Sequence, residues 1–506
     1  MTKGICLCVA SAVLLAAPFL NPILFPLAWV AFLPLLRAID LASSLRDAAI
    51  RGWVAGFATH LMGFYWLVST ISVFGNFSYP LASVVFLIYA ALQGLQIASF
   101  AFLVKVIGFG PLQIFPALFW VALEFCFPLL FPWHLANSQS AFLSFIQTAD
   151  LVGPYGASWV IMWMNGAIYK LAFASNQQRA ASWITCAYPS LFFALSVIYG
   201  VQRLETIEDE MAEARKLPVA AVQGNIDVGL KWDPAKAREN LARYVGLSST
   251  IENTALIAWP ETAVEYWLPD DLQSLPRELM PPFSSEQTYF LFGSRSFIGH
   301  PGERDFKAFN TAFIADARGR VLGRYHKQVL LAFGEYIPFS KILSLLPMMP
   351  FADGFTAGDA PLAFNLRRGL RLSPLICYED LMPELARRAV SETRANLLVN
   401  MTNDAWYGRT VAPWQHARLS QWRSIETRRT LLRATNTGVT TWINPKGEIQ
   451  NVLPLFTGGV LQAQVELMEE ETYYVRLGDW FAWAMTGATL ALLLVYLRGV
   501  LRKHGT

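Results

Sequence analysis

Residues 183–223 read WITCAYPSLFFALSVIYG, then VQRLETIEDEMAEARKL, then PVAAVQ, and the change of solvent inside that stretch decides the fold class. The first piece, 183–200, carries no charge and as a helix is long enough for about 30 Å of hydrocarbon. The second is dense in Glu, Asp, Arg and Lys. The third, Pro218–Gln223, reads as a buried strand. A chain written this way leaves lipid and enters water within a few turns.

Working outward, the imbalance holds over the whole sequence. Of 506 residues, 54% are hydrophobic and 15% charged, against about 25% charged in ordinary soluble proteins. Residues 1–200 contain eleven Asp, Glu, Lys or Arg, whereas 201–479 has a globular composition. Further apolar runs fall near 4–20, 22–36, 52–73, 81–105, 112–131 and 157–174, and a last one near 480–497. With 183–200 they predict about eight membrane spans. The first run resembles a cleaved leader, but Asn21-Pro22 leads straight into a second, so a retained helical hairpin is expected. Lys3, Arg37, Arg46, Arg51, Lys105, Arg179, Arg498, Arg502 and Lys503 all fall on one side of such a bundle, and loops 74–80 and 132–156 lack Lys and Arg. The positive-inside rule then puts both termini in the cytoplasm and the polar domain on the opposite face. The expected division is 1–200 for seven spans, 201–479 for the extramembrane domain, and 480–506 for the eighth span and tail.

Within the polar domain, short β-rich runs alternate with helical patterns, which predicts a layered α/β domain. Strands are expected at Pro218–Gln223, Ala255–Trp259, Thr288–Phe292, Asn310–Ala315, Leu372–Ile376, Ala395–Val399 and Gly438–Ile443. Asp233-Pro234 opens a helix over 234–251, and a longer one runs over about 413–432. A net charge of +3 gives no reason to expect nucleic acid as a partner. Cys377 alone lies in the polar domain, so no disulfide framework forms there, and the six histidines show no ligand spacing. No metal site is expected.

Three residues stand where chemistry could be done. Cys377 follows the apolar run Leu372–Ile376, and a thiol fixed at a strand end is a candidate nucleophile; a buried structural cysteine is the plainer alternative. Glu261 follows a strand in Trp259-Pro260-Glu261-Thr262 and suits a general base, though a solvated loop glutamate is commoner. Lys327 ends Gly323-Arg-Tyr-His-Lys327 and could donate to an oxyanion, though most such lysines are surface residues.

Taken in this order the three resemble the Glu-Lys-Cys triad of the nitrilase, or carbon–nitrogen hydrolase, superfamily. The resemblance spans about 217–470 and includes Gln223-Gly224-Asn225, Trp259-Pro-Glu261, Tyr325-His-Lys327, Ile376-Cys-Tyr-Glu379, Asn400-Met-Thr-Asn403-Asp404-Ala-Trp406 and Gly438–Gly447. It implies a four-layer sandwich. Such a domain set among apolar spans is similar, over the entire chain, to the bacterial apolipoprotein N-acyltransferase family, with further matches at Lys231-Trp232, 330–338 and Arg433–Gly438. Phe309-Asn310-Thr311 departs from the family's more usual tyrosine and serine.

This resemblance implies transfer of an acyl chain from a phospholipid, phosphatidylethanolamine or a related lipid, to the α-amine of a diacylglyceryl-modified cysteine in apolipoproteins. Glu261 would deprotonate Cys377, Lys327 and the Tyr378 N–H would hold the oxyanion, and a thioester would form without any cofactor. Glu335 and Glu379 would orient Lys327 or tune its charge, and Trp232 and Tyr378 would line the acyl site. Nothing demands more than a monomer. The apolar stretch 343–355, with Leu345, Leu346 and Phe351, is expected to be a lid dipping into the bilayer interface, or else a loop folded on the domain. Glu124 and His60, at membrane depth, are expected to bond between helices. Two rival readings are a membrane-tethered amidase and a transporter with an accessory domain; paired intramembrane charges, which a transporter needs, are scarce.

Overall fold

The computed structural model describes residues 2–175, 179–300, 303, 305–332, 334–336 and 354–504. They form two compact units, one of 1–67, 83–205 and 477–506, the other of 68–82 and 206–476.

The first unit is helical. Among the described residues five helical segments are long and apolar enough to cross a membrane: Thr2–Leu20, Pro22–Asp40, Tyr79–Ile107, Ser182–Glu213 and Trp480–Arg502. Leu45–Gly63 and Leu67–Gly75 make a sixth only if taken together across a 69° bend. The eight apolar runs therefore do not become eight regular helices. The run at 112–131 yields the short helical stretch Pro111–Cys126, and 157–174 lies in the helix Pro154–Phe173. Apolar composition reveals immersion but not where a helix breaks.

Two breaks have identifiable causes. Pro22–Trp29 is a 3-10 helix and an α-helix resumes only at Leu33. Asn165 bridges the break, donating from Nδ2 to Ala28 O (2.9 Å) and accepting from Phe32 N (2.9 Å). Without water an unpaired amide costs several kcal/mol, roughly, so one asparagine makes the break tolerable. Glu124 does similar work: Oε1 accepts from Trp120 Nε1 on its own helix and from Leu135 N, both at 2.6 Å. Beyond its own helix it thus engages the backbone of a 3-10 turn (Leu135–Gln139), and Ser158 of the neighbouring helix Pro154–Phe173 also bonds its carboxylate. His60 likewise bonds within its own helix, to Gly56 O (2.8 Å).

Among the described residues the second unit holds thirteen strands in two sheets. They are β1 Arg215–Gln223, β2 Leu256–Ala258, β3 Val264–Pro269, β4 Tyr289–Ile298, β5 Lys307–Asp316, β6 Val321–His326, β7 Phe364–Leu366, β8 Leu370–Ile376, β9 Leu397–Thr402, β10 Thr430–Thr435, β11 Thr441–Ile443, β12 Ile449–Gln450 and β13 Gly459–Leu467. One sheet has the order β13-β1-β2-β4-β5-β6, with β3 beside β4; the other runs β12-β11-β10-β9-β8-β7. Within them β1, β2 and β4 are mutually parallel, as are β8, β9 and β10.

Strand alternation explains the layering. Leu217, Val219 and Ala221 of β1 meet Leu372 and Ile376 of β8 and Leu397, Val399 and Met401 of β9 in a core between the sheets. The intervening Ala220 and Val222 face outward onto Leu241 and Tyr244 of the helix Ala237–Ser248. On the far side Leu375 and Leu398 pack against Leu385, Ala386, Ala389 and Val390 of the helix Pro383–Thr393. Both faces of each sheet are covered, so these strands read as continuous apolar runs. The result is the four-layer sandwich that the triad's resemblance implies. The helix expected over 413–432 ends at Thr427, where Arg428 turns left-handed (φ 51) and β10 begins.

One segment of the apolar N-terminal half belongs to this unit. In the helix Leu67–Gly75, Phe74 stacks on Trp406 at 3.9 Å between ring centroids, and Thr70 donates to Trp406 O (3.3 Å). The run expected as one span over 52–73 therefore breaks after Gly63, a residue of low helical preference followed by Phe-Tyr-Trp.

Candidate active site

Parallel strands deliver side chains at their carboxyl ends, where ligands bind open α/β sheets. Glu261 leaves the sheet directly after β2, in the gap before β3. That gap is tight. Thr262 has φ 46, and Gly293 on β4 lies so close that a Cβ there would sit 2.5 Å from Thr262 N, 2.7 Å from Pro260 O and 2.8 Å from Glu261 Cα. From the other side Lys231, which is buried, donates to Glu261 O at 3.1 Å. Gly293→Ala must push the Glu261 turn outward. We expect folded protein with turnover reduced about 10²-fold, since displacements near 1 Å cost that much; steady-state kinetics beside a thermal melt checks it.

Lys327 directly follows β6 and is held by its backbone, its N–H donating to Asn310 O (2.9 Å). Its Nζ lies 2.8 Å from Glu335 Oε2 and 3.6 Å from Glu261 Oε1, with the lysine only 2% exposed. Asn310 on β5 links the two carboxylates: Nδ2 donates to Glu261 Oε1 (2.7 Å) and to Glu335 Oε1 (2.9 Å). Glu335 also accepts from Leu331 N at 2.8 Å. Burial works to strip the proton from Lys327, but the Glu335 and Glu261 carboxylates, with Cys377 beyond them, outweigh it and hold the amine firmly protonated.

Cys377 occupies the first position after β8 with φ 52, a left-handed conformation uncommon outside glycine that turns the chain sharply into the 3-10 helix Cys377–Leu381. Its carbonyl accepts from Asn400 Nδ2 (3.0 Å). The residue is half-buried. Burial, and then the Glu261 carboxylate, push the thiol well above its ordinary range, opposed by Lys327 and by a hydrogen bond with Thr402. The thiol therefore rests protonated, within Coulombic reach of a carboxylate and an ammonium. Attack on a carbonyl needs the proton to leave as the bond forms, a task for the carboxylate.

Glu335 and Glu379, expected alike to serve Lys327, do different things. Glu335 is the direct ion-pair partner. Glu379, fully buried, makes no ion pair among the described residues and accepts from Gln328 N (2.6 Å), Val329 N (3.2 Å), Ile376 N (2.7 Å) and Tyr325 Oη (3.0 Å). It ties the turn after Lys327 to the turn that carries Cys377. Burial lifts its carboxyl to about 7 against those donors and the nearby Lys327. In Glu379→Gln an amide N–H would face one of those N–H groups. We expect a stability loss of about 1–3 kcal/mol, the cost of a buried unsatisfied donor, and a larger loss in turnover than in substrate affinity; denaturant melts and a kcat/KM split measure it.

Tyr378 is buried beside Lys327, and burial raises its phenol. Trp232 lies 6.4 Å from Trp406, nearly parallel to it, and carries the Arg295 guanidinium 5.0 Å over its ring; Trp267 holds the other side of that guanidinium at 4.7 Å. The phenylalanine at 309 stacks on His326 at 4.1 Å, a contact that needs a ring and no hydroxyl. Leu345, Leu346 and Phe351 lie outside the described residues. Among the described residues no group of three or more His, Cys, Asp or Glu could hold a metal. Asn310 and Gly293 were missed as site residues. Asn310 lies within Phe309-Asn310-Thr311, and its signal is an amide in a mostly buried strand.

The family models match two regions, a carbon-nitrogen hydrolase over 218–474 and an apolipoprotein N-acyltransferase N-terminal domain over 11–167. The chain is 35% identical to an apolipoprotein N-acyltransferase of Geobacter metallireducens, over 97% of this chain and 95% of that one. The chain belongs to the apolipoprotein N-acyltransferase family. Other members are similarly matched from end to end, that of Pseudomonas putida at 31% identity over 96% of this chain and 94% of its own, and that of Rickettsia typhi at 28% over 98% of each. Among solved structures the chain is similar to an amidase from Nesterenkonia sp., 20% identical, covering 51% of this chain and 92% of that chain with a TM-score of 0.35. As an apolipoprotein N-acyltransferase relative with apolar helices and a hydrolase-type sandwich, it is a membrane enzyme.

Proposed function

We propose that this enzyme moves one acyl chain from a membrane phospholipid, with phosphatidylethanolamine the expected donor, to the N-terminal amine of the diacylglyceryl-cysteine of apolipoproteins. The observation that carries the reading is the cluster at the strand ends: a thiol, a dry ammonium and a carboxylate, the last two locked together through Asn310 and Glu335.

The reaction divides at a thioester. Glu261 takes the thiol proton as Cys377 Sγ attacks the ester carbonyl. Lys327, with the Tyr378 N–H, receives the charge that develops on the carbonyl oxygen. The C–O bond breaks, Glu261 returns its proton to the leaving alkoxide, and lysophospholipid departs. The lipoprotein amine then attacks the thioester, Glu261 accepts its proton, and the C–S bond breaks as Glu261 passes that proton to the departing sulfur, giving the amide and the free thiol. Both substrates keep their chains in lipid, so the polar domain works at the bilayer surface. In this reading 1–200 and 480–506 anchor it in the bacterial inner membrane, the termini are cytoplasmic, 201–479 is periplasmic, and a monomer suffices with no cofactor.

The test is direct. Purified enzyme is incubated with phospholipid of defined acyl chains, digested, and the Cys377 peptide weighed; addition of a diacylated lipopeptide follows. An acyl mass that disappears into the lipopeptide amine supports the reading. Acyl release to water, with none on the amine, overturns it in favour of a hydrolase.

A further inference from the structure

Next to the Cys377 turn lies a group of four buried charged side chains that the steps above do not use. His416, on the helix Ala412–Thr427, stands between two carboxylates, with Nε2 2.7 Å from Asp380 Oδ1 and Nδ1 2.9 Å from Asp404 Oδ1. Arg433 of β10 completes the group. Its guanidinium bonds Asp380 Oδ2 and Ser420 Oγ (2.9 Å) and lies 3.7 Å from Asp404 Oδ2. His416 is 4% exposed and the other three not at all.

The hydrogen-bond pattern fixes the charge state. A neutral imidazole has one N–H and one lone pair, so it cannot donate to two carboxylates at once; an imidazolium can. Burial alone would strip that proton, but the Asp380 and Asp404 carboxylates outweigh it and lift the imidazole to about 9. Two carboxylates, one guanidinium and one imidazolium sum to zero, as a site cut off from water requires.

The position of the group matters more than its balance. Asp380 sits in the same 3-10 turn as Cys377. Asp404 opens the turn Asp404–Tyr407 after β9, whose Thr402 bonds the thiol and whose Asn400 holds the Cys377 carbonyl. Asp404 also bears on the thiol itself, disfavouring the thiolate, as Glu261 does and Lys327 opposes. Tyr407, its ring 6.3 Å from His416, also faces this cluster, within reach of the Asp404 and Asp380 charges. Gly438 leaves room for the Asp404 carboxylate, since a Cβ there would collide with Oδ2.

We propose that His416 is a positioning residue that clamps the two turns flanking the nucleophile and, through its positive charge, keeps the Asp380–Asp404 pair from opposing thiolate formation. This rests on Cys377 being the nucleophile. His416→Gln keeps a donor but removes the charge, leaving one net negative charge beside the thiol and so moving thiolate formation to higher pH. His416→Gln with Asp404→Asn removes one charge of each sign and restores neutrality.

The test measures the rate at which iodoacetamide labels the Cys377 peptide against pH, in the full-length protein, alongside acyl transfer. His416→Gln should label about tenfold more slowly at pH 7, where the imidazolium is charged, and the deficit should shrink as pH passes about 9 and the unaltered imidazole loses its proton. The double variant should label at close to the rate of the unaltered protein. An unaltered rate at pH 7, a deficit equal at every pH, or the same deficit in single and double variants overturns the proposal, because a purely structural brace would slow labelling equally at every pH. Should His416→Gln fail to fold, Asp404→Asn alone must label faster at pH 7, and a rate unchanged or lower overturns the proposal. Labelling does not depend on acyl transfer. Altered labelling in the variants without transfer in the unaltered protein counts against the reaction and leaves the coupling standing.

Discussion

Cys377→Ala will leave a folded protein that transfers no acyl chain and carries no acyl mass. The fold should survive because the residue's demands are met by its backbone. Its φ of 52 is equally accessible to alanine, and its carbonyl bond to Asn400 does not involve the sulfur. Losing one half-buried sulfur costs little beside the core between the sheets. Turnover falls to background because the step it removes has no substitute: Glu261 can take a proton and Lys327 can stabilise an oxyanion, but neither can form the thioester. Cys377→Ser separates chemistry from geometry. A hydroxyl in the same place is a far poorer nucleophile in a site that already holds a thiol protonated, so it too should be inactive or nearly so. Acyl label from phospholipid, followed to enzyme and to lipopeptide amine, checks both variants. Retained transfer by Cys377→Ala sinks the covalent route.

How much of this was legible in the sequence follows from the range of the interactions. Glu261, Lys327 and Cys377 stood out because each follows a β-rich run, a local signal, and because the family that the chain resembles places those types in that order. The two-sheet core was readable as β-rich runs but its pairing was not: β1 finds β13 in a register from Arg215 opposite Leu467 to Gln223 opposite Gly459, a match across most of the domain. Glu335 and Glu379 looked interchangeable, since sequence gives a carboxylate's neighbours but not its direction. The 3-10 turn after Cys377 carries Glu379 into a nest of backbone N–H groups, those of Gln328, Val329 and Ile376, with Lys327 near enough to act on its charge. Gly293 and His416 were illegible for one common reason, that their contacts exist only between strands or turns remote in the chain, and Asn310 offered an amide in a mostly buried strand but not the two carboxylates it joins. The helical half failed differently. Hydropathy marks residues that tolerate lipid, and Asn165 and Glu124 let the backbone break inside such runs without leaving an amide unpaired.

Lys327→Met should be the most damaging substitution among the groups that do not bond covalently to substrate, for two reasons that can be measured apart. The first is electrostatic. Glu261 and Glu335 are joined through the single Nδ2 of Asn310, and Lys327 is the cation in contact with both. Methionine fills much the same volume but leaves two carboxylates in a dry site without that cation. Removing one partner of a buried pair costs about 3–5 kcal/mol, part of which the protein recovers by protonating a carboxyl. The loss should therefore be larger at pH 8 than at pH 5, since at low pH the extra proton comes cheaply. The second reason is catalytic. Without the ammonium the oxyanion loses a donor, worth about 10²–10³ in kcat, and a protonated Glu261 can no longer act as base. Lys327→Met with Glu335→Gln distinguishes the two. The double variant removes one charge of each sign, so most of the stability and its ordinary pH dependence should return, while turnover stays near background. Denaturant melts at the two pH values and acyl-transfer rates at each give the answer. If the double variant regained activity along with stability, Lys327 would be a structural cation and the oxyanion would have to be held by other groups.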